Sequence, residues 1–194
     1  MNKILLNVIS ICFIITFSSC NETDPVSSKD DILKYLPLKV GVMWNYESLN
    51  TNMLHTKIEV DSIDRNNRIT LKYTYLEFGI VTYYYWKKDS SGVEFYFSPE
   101  EHYYILKYPI LKGQSWTDIY VNTQEKTLIR KSTIDSVGFI ATVKAGVFNN
   151  CIKVVSTTTD EEGIELFTEY SVYAPDVGQI LTDGVQLLNY SIPQ

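Results

Sequence analysis

The sequence predicts an all-β domain: a single curved antiparallel sheet of half-barrel or meander form, with a closed barrel or a β-sandwich as the alternatives. Three observations carry that prediction. Apolar and polar residues alternate with period two over segments of five to eleven residues. Short polar turns separate those segments, and no long helical periodicity follows the first twenty residues. Roughly ten to twelve strands are expected.

The N-terminus is not part of that sheet. Lys3 supplies a positive start, and the stretch from Ile4 to Phe17 is apolar apart from residues such as Asn7, Ser10 and Thr16. This is the pattern of a secretion-signal core, and it stops short of the ~17–25 apolar residues of a membrane-spanning helix. Phe17-Ser18-Ser19-Cys20 resembles the lipobox of bacterial lipoproteins, in which a bulky apolar residue stands three before the cysteine and small residues fill the positions between. The usual leucine is a phenylalanine here, and serine replaces the commoner glycine or alanine beside Cys20. The resemblance implies diacylation of the Cys20 thiol, cleavage before it and acylation of the new amino group. Each buried methylene contributes ~0.8 kcal/mol, so several chains anchor a domain on the membrane. Residues 1–19 are then signal peptide, 20–34 a lipidated tether and 35–194 the β-rich domain. Asn21 stands where an aspartate marks inner-membrane retention in enteric lipoproteins, and Glu22 and Asp24 resemble surface-export signals of some Bacteroidetes lipoproteins. Both features point to the outer membrane of the cell envelope and leave its periplasmic and outer faces open.

Composition fits an exported domain. With 45% hydrophobic residues the chain can build a core, and a formal charge of −6 without a Lys/Arg block excludes a nucleic-acid binder. Cys12 leaves with the signal and Cys20 carries lipid, so Cys151 has no intramolecular disulfide partner. Its strand-like setting, Asn150 to Val155, reads as a small buried side chain.

Along the mature chain, Ser28 and Asp31 can cap one helical turn through Ile32, Leu33 and Leu36, ended by Pro37. Strands follow at Lys57–Asp61, Arg68–Tyr75, Val93–Phe97 and Gly163–Val172, each with one face for a core and one for water. Turns fall at Asp64–Asn67, Asp89–Gly92, Asp160–Gly163 and Thr182–Gly184. An echo appears in the pattern Pro-x-x-x-Gly-x-x-Trp, at Pro37–Trp44 and again at Pro109–Trp116. It reads either as a duplicated β-subdomain or as a reused way of starting a strand. In both places the tryptophan is expected to turn inward.

Three longer marks carry a resemblance. Tyr35-Leu36-Pro37-Leu38-Lys39-Val40-Gly41 with Trp44 and Tyr46, Lys144-Ala145-Gly146-Val147-Phe148 before Cys151, and Tyr173-Ala174-Pro175 with Val177-Gly178 look like a family of uncharacterised Bacteroidetes-type lipoproteins. The resemblance spans nearly the whole mature chain. It implies a curved sheet similar in outline to half-barrel lipoprotein carriers, and it implies no reaction.

The residues agree that no catalytic constellation stands out. His55 and His102 are far apart, and neither has metal-ligand spacing to a cysteine or second histidine. In Glu100-Glu101-His102 only Glu100 and His102 can share a strand face, which reads as a solvated edge. Asp160-Glu161-Glu162-Gly163 lacks the spaced oxygens of a calcium loop, and no Gly-x-Ser-x-Gly is present. No enzyme activity, metal or cofactor is assigned.

Aromatic residues are the more informative feature, because they stand side by side. In Tyr83-Tyr84-Tyr85-Trp86, Tyr83 and Tyr85 face one way, and Tyr84 and Trp86 the other. They serve either as cross-strand packing or as an exposed shelf for sugar rings or an acyl chain. Tyr84, Trp86, Tyr96 and Tyr104 are the candidate ligand-contacting residues, with Trp86 expected to be more exposed than Trp44 and Trp116. The reading is a lipid-anchored, non-catalytic binding or accessory module for a polysaccharide, peptide or partner protein. The alternative is a carrier or chaperone for a lipid or other amphiphile, which needs an apolar hollow of several hundred cubic ångströms.

Overall fold

Polar turns reverse the chain where the sequence places them, and the segments between them pair with their neighbours in order. The computed structural model describes residues 31–49 and 54–193, so the signal, Cys20 and most of the tether lie outside the described residues. One helical turn, α1 (Asp31–Tyr35), precedes twelve strands. The first six are β1 (Met43–Ser48), β2 (Leu54–Ile63), β3 (Arg68–Tyr75), β4 (Ile80–Lys88), β5 (Gly92–Tyr96) and β6 (His102–Lys107). The second six are β7 (Ser115–Val121), β8 (Thr127–Val143), β9 (Gly146–Thr159), β10 (Glu165–Ala174), β11 (Gly178–Thr182) and β12 (Val185–Ser191).

All twelve belong to one antiparallel sheet, ordered β6-β5-β4-β3-β2-β1-β12-β11-β10-β9-β8-β7. Its two outer strands approach each other, so the sheet curls into a nearly closed barrel. The seam between β6 and β7 is held largely by side chains. Trp116 Nε1 donates to the Tyr104 carbonyl at 3.1 Å, and Asp118 Oδ2 accepts from the Tyr104 N–H at 3.2 Å. Covering the last edge in this way protects it from pairing with another chain.

The order splits into two six-stranded meanders, β1–β6 and β7–β12, and the Pro-x-x-x-Gly-x-x-Trp echo opens each of them. Gly41 and Gly113 both have φ near 85°, a conformation glycine adopts without strain. Gly41 N–H donates to the Val60 carbonyl at 2.9 Å, and Gly113 N–H to that of Ile134 at 2.8 Å. Val60 and Ile134 return equivalent bonds to Val42 and Gln114, and a bulge follows each, at Val60/Ser62 and Ile134/Ser136. The echo is thus a repeated structural unit, and Trp44 and Trp116 are both buried as expected.

The remaining marks assemble at the barrel end where β1 begins. Trp44 Nε1 donates to the Val177 carbonyl at 2.5 Å, and a Cβ on Gly178 would stand 3.1 Å from that indole nitrogen. Gly178 has φ of 103°, so close approach and backbone conformation both demand glycine there. Tyr35 Oη bonds the Asn150 carbonyl at 3.0 Å, which ties α1 to β9. The β8–β9 hairpin tip reaches β12 and β1, where Ala145 N–H bonds the Leu187 carbonyl at 3.0 Å and Lys144 Nζ meets buried Glu47 at 2.7 Å. Leu36, Val42, Cys151, Val177 and Leu187 fill this sealed end. Burial raises the Cys151 thiol pKa, in keeping with an inert packing role.

Candidate functional site

Strand pairing decides which aromatic residues meet. In β3–β6, Ile69 pairs with Trp86 and Trp86 with Phe95, while Thr70 pairs with Tyr85 and Tyr85 with Tyr96. The first set turns into the barrel. The second faces outward.

On the outside, Tyr85 and Tyr96, with Arg68, Lys87, Asn66, Asp64, Ser98 and Pro99, line an open groove of about 450 Å³ between the β2–β3 and β5–β6 turns, joined by Phe97, whose ring also lies 5.5 Å from that of Tyr84. Arg68 lies 3.7 Å above the Tyr85 ring. Asp64 is committed to its own turn, where its Oδ1 accepts the backbone N–H groups of Asn66 at 2.7 Å and Arg68 at 3.0 Å. The cations of Arg68 and Lys87 thus sit beside the half-buried rings of Tyr85 and Tyr96 and the exposed ring of Phe97, with one oxygen of that carboxylate already engaged. Tyr96 is held rigidly: its hydroxyl donates to Glu94 Oε2 at 2.5 Å, and its ring stacks on His102 with centroids 4.8 Å apart. Glu94 Oε1 also lies 2.7 Å from His102 Nδ1. Partial burial and the Glu94 carboxylate push the Tyr96 hydroxyl up to about 12, so it stays protonated at neutral pH. Beside this cluster Tyr104 donates to Asp89 Oδ2 at 2.7 Å, and Lys107 caps its ring at 4.2 Å. Pre-positioned rings with polar groups at their edges suit stacking and hydrogen bonding to a ligand.

Inside, edge and tilted ring contacts form a belt from β3 to β7: Tyr73–Tyr84 at 4.8 Å, Tyr84–Phe95 at 5.6 Å, Phe95–Tyr103 at 5.5 Å and Tyr103–Tyr120 at 5.4 Å. Opposite it, β8–β10 present Arg130, Ser132, Ser156, Thr158, Glu169 and Ser171. Between these walls lies a chamber of about 160 Å³. A neighbouring space of about 190 Å³ shares Tyr73, Gln179 and Thr182 with it.

Two expectations need correction. Trp86 is 7% exposed, close to the 6% of Trp116, because the sheet closes and the opposite wall covers its inner face. Alternation had separated Tyr84 and Trp86 from Tyr83 and Tyr85 correctly, but it is Tyr83, at 51%, that faces water. Secondly, the four candidate residues do not form one shelf. Tyr84 and Trp86 point inward, while Tyr96 lines the outer groove and Tyr104 stands near it, paired opposite Glu94 after a bulge at Val93/Glu94. His102 partners Glu94 rather than Glu100, and among the described residues no group of three or more His, Cys, Asp or Glu side chains could hold a metal. Sequence reasoning missed Arg68, Tyr85, Phe97 and Arg130. Their roles depend on which strand lies alongside, and no local signal reports that.

No protein-family model and no curated protein matches the chain. Among solved structures it is similar to a Bacteroides fragilis protein described as exported and of YmcC-like fold, with a TM-score of 0.45 and 10% identity over 79% of this chain and 97% of that one.

Proposed function

We propose that this chain is a lipid-anchored cell-envelope protein of the outer membrane that acts as a non-catalytic binding module, contacting an acidic polysaccharide through the groove on β3–β5. The observation that carries the reading is the combination in one open groove of Tyr85, Tyr96 and Phe97 with Arg68 and Lys87. Aromatic faces stack on the apolar faces of sugar rings, and the two cations suit carboxylate-bearing units. The lipobox-like Phe17-Ser18-Ser19-Cys20 supports the anchor. The chamber bears Arg130, Glu169 and serine side chains, a poor match to an acyl chain, which supports this reading over an amphiphile carrier.

The anchor and the groove have separate tests. Cys20→Ala should abolish incorporation of labelled palmitate, and persistent labelling would remove the anchor. For the groove, affinity electrophoresis of the purified mature chain through gels containing alginate or polygalacturonate should show retardation, with dextran and laminarin as neutral controls. Tyr96→Ala and Arg68→Ala should restore free mobility. Equal mobility of the native chain in all four gels would contradict the polysaccharide reading.

A further inference from the structure

Two of the side chains that line the chamber inside the barrel carry a buried N–H without an acceptor. Arg130 and Trp86 are each only 7% exposed. Arg130 Nη2 pairs with Glu169 Oε1, while Arg130 Nε and Trp86 Nε1 find no hydrogen-bond partner. Both residues line the same space, with Tyr73, Tyr103, Tyr173 and Ser156. Buried polar groups are almost always satisfied, so two orphaned N–H groups on one cavity point to something that occupies it.

The donors also limit the occupant. An indole N–H and a guanidinium N–H can only donate, so they call for acceptor oxygens. Burial raises the hydroxyls of Tyr73, Tyr103 and Tyr173 around them, that of Tyr173 to about 12, and they remain donors at neutral pH. Arg130 lies 4.4 Å from the centre of the Tyr103 ring and is fixed by Glu169, so its free Nε edge is held in place. The size admits a small ring: about 160 Å³ is close to the ~150 Å³ engineered cavity that holds benzene.

We propose that this chamber is a second binding site, distinct from the outer groove, for a small carboxylate of about benzoate size, its oxygens accepting from Arg130 Nε and Trp86 Nε1. The ring or short chain of such a ligand rests against Phe95 and the tyrosine wall. Glu169 is about one-third exposed and engages Arg130 Nη2, so the ligand meets the arginine at Nε, which Glu169 leaves free.

Calorimetric titration of the full mature chain with benzoate tests the proposal, with benzyl alcohol as the neutral counterpart. Saturable benzoate binding is expected, weakened at least roughly tenfold in Arg130→Gln and in Trp86→Phe, a loss of about 1.4 kcal/mol, and unchanged in the outer-groove variant Tyr96→Ala. Trp86→Phe keeps an aromatic side chain while removing the N–H and trimming the buried indole to a phenyl ring, so it serves even if Arg130→Gln fails to fold. Absence of saturable heat, equal affinity of Trp86→Phe and the native chain, or benzyl alcohol binding as tightly as benzoate would overturn the proposal. So would a crystal grown with saturating benzoate whose chamber holds water only.

Discussion

The two six-stranded halves begin alike and end differently. Both open on a glycine with φ near 85° and a buried tryptophan, and both bulge just after the residue that bonds that glycine. Yet the inner wall of β3–β6 is Ile69, Leu71, Tyr73, Tyr84, Trp86 and Phe95, whereas β8–β10 present Arg130, Ser132, Ser156, Thr158 and Glu169. A repeated frame therefore fixes strand register without fixing the chemistry of the wall. An aromatic wall facing an aliphatic one would pack dry. Here it faces hydroxyls and an ion pair, and a chamber stays between them because neither side satisfies the other.

The largest expected effect tests the shared frame. Trp44→Ala should cost ~3–5 kcal/mol, a large part of a total stability of ~5–15 kcal/mol, because it removes the indole that bonds Val177 and packs on Gly178. Trp116→Ala should cost slightly less, since its indole bonds only across the seam. Trp86→Phe should cost less than either, about 1–2 kcal/mol, because the N–H it removes has no partner and the loss comes from trimming a buried indole to a phenyl ring. Denaturant melts rank the three, and a ranking led by Trp86→Phe would break the equivalence of the two openings.

The polar wall gives a smaller effect of a different kind. Ser132 and Ser156 share a buried hydrogen bond of 2.9 Å. Either serine changed to alanine should cost about 1 kcal/mol, and the double variant little more than one single, because the second change removes the hydroxyl left unpaired. Additive losses in a double-mutant cycle would mean that the wall does not depend on that pair.

The smallest effects lie at the two carboxylates that bond Tyr104 and have opposite signs. Burial is the main influence on Asp118 and raises its carboxyl above the ordinary value, despite the Tyr104 N–H and the nearby Lys107 and Arg130. The folded state therefore favours the protonated acid, and that contribution is lost as pH rises from the unfolded value through the folded one. Asp118→Asn should melt at the same temperature as the native chain or higher at pH 7, with the gap closing below about pH 4. At Asp89, burial acts upward but is outweighed by the Tyr104 hydroxyl and the Ser91 and Gly92 N–H groups, which hold the carboxyl below its usual range. Its contribution is present above the unfolded value and lost as pH falls, so Asp89→Asn should lower the melting temperature at pH 7 and converge with the native chain in acid. Thermal melts across roughly pH 3 to 8 check both, and a same-sign response would contradict the assignment.

These halves also differ in how much of them the sequence discloses. Arg68–Tyr75 alternates cleanly, so its strand, its two faces and the turn before it, Asp64–Asn67, were legible, while the turn after Tyr75 was not. The same rule separated the two faces of Tyr83-Tyr84-Tyr85-Trp86. Which face meets water depends on whether the sheet closes, and closure rests on Trp116 and Asp118 reaching Tyr104 from a strand on the opposite edge of the sheet. In Leu128-Ile129-Arg130-Lys131-Ser132-Thr133-Ile134 both faces mix apolar and polar residues, so alternation names no inner set and does not mark Arg130 as inward. The outer groove was half visible through Tyr96. Tyr85 and Arg68 join it only because β4 pairs with β5 on one side and β3 on the other.

The central claim is that polysaccharide recognition belongs to the outer face of β3–β5. Amide chemical-shift mapping of the mature chain titrated with an alginate hexasaccharide tests it directly. Shifts confined to Arg68, Tyr85, Lys87, Tyr96 and their neighbours, saturable and absent in Tyr96→Ala, are the predicted result. Saturable shifts centred instead on β8–β10, and retained in Tyr96→Ala, would contradict it.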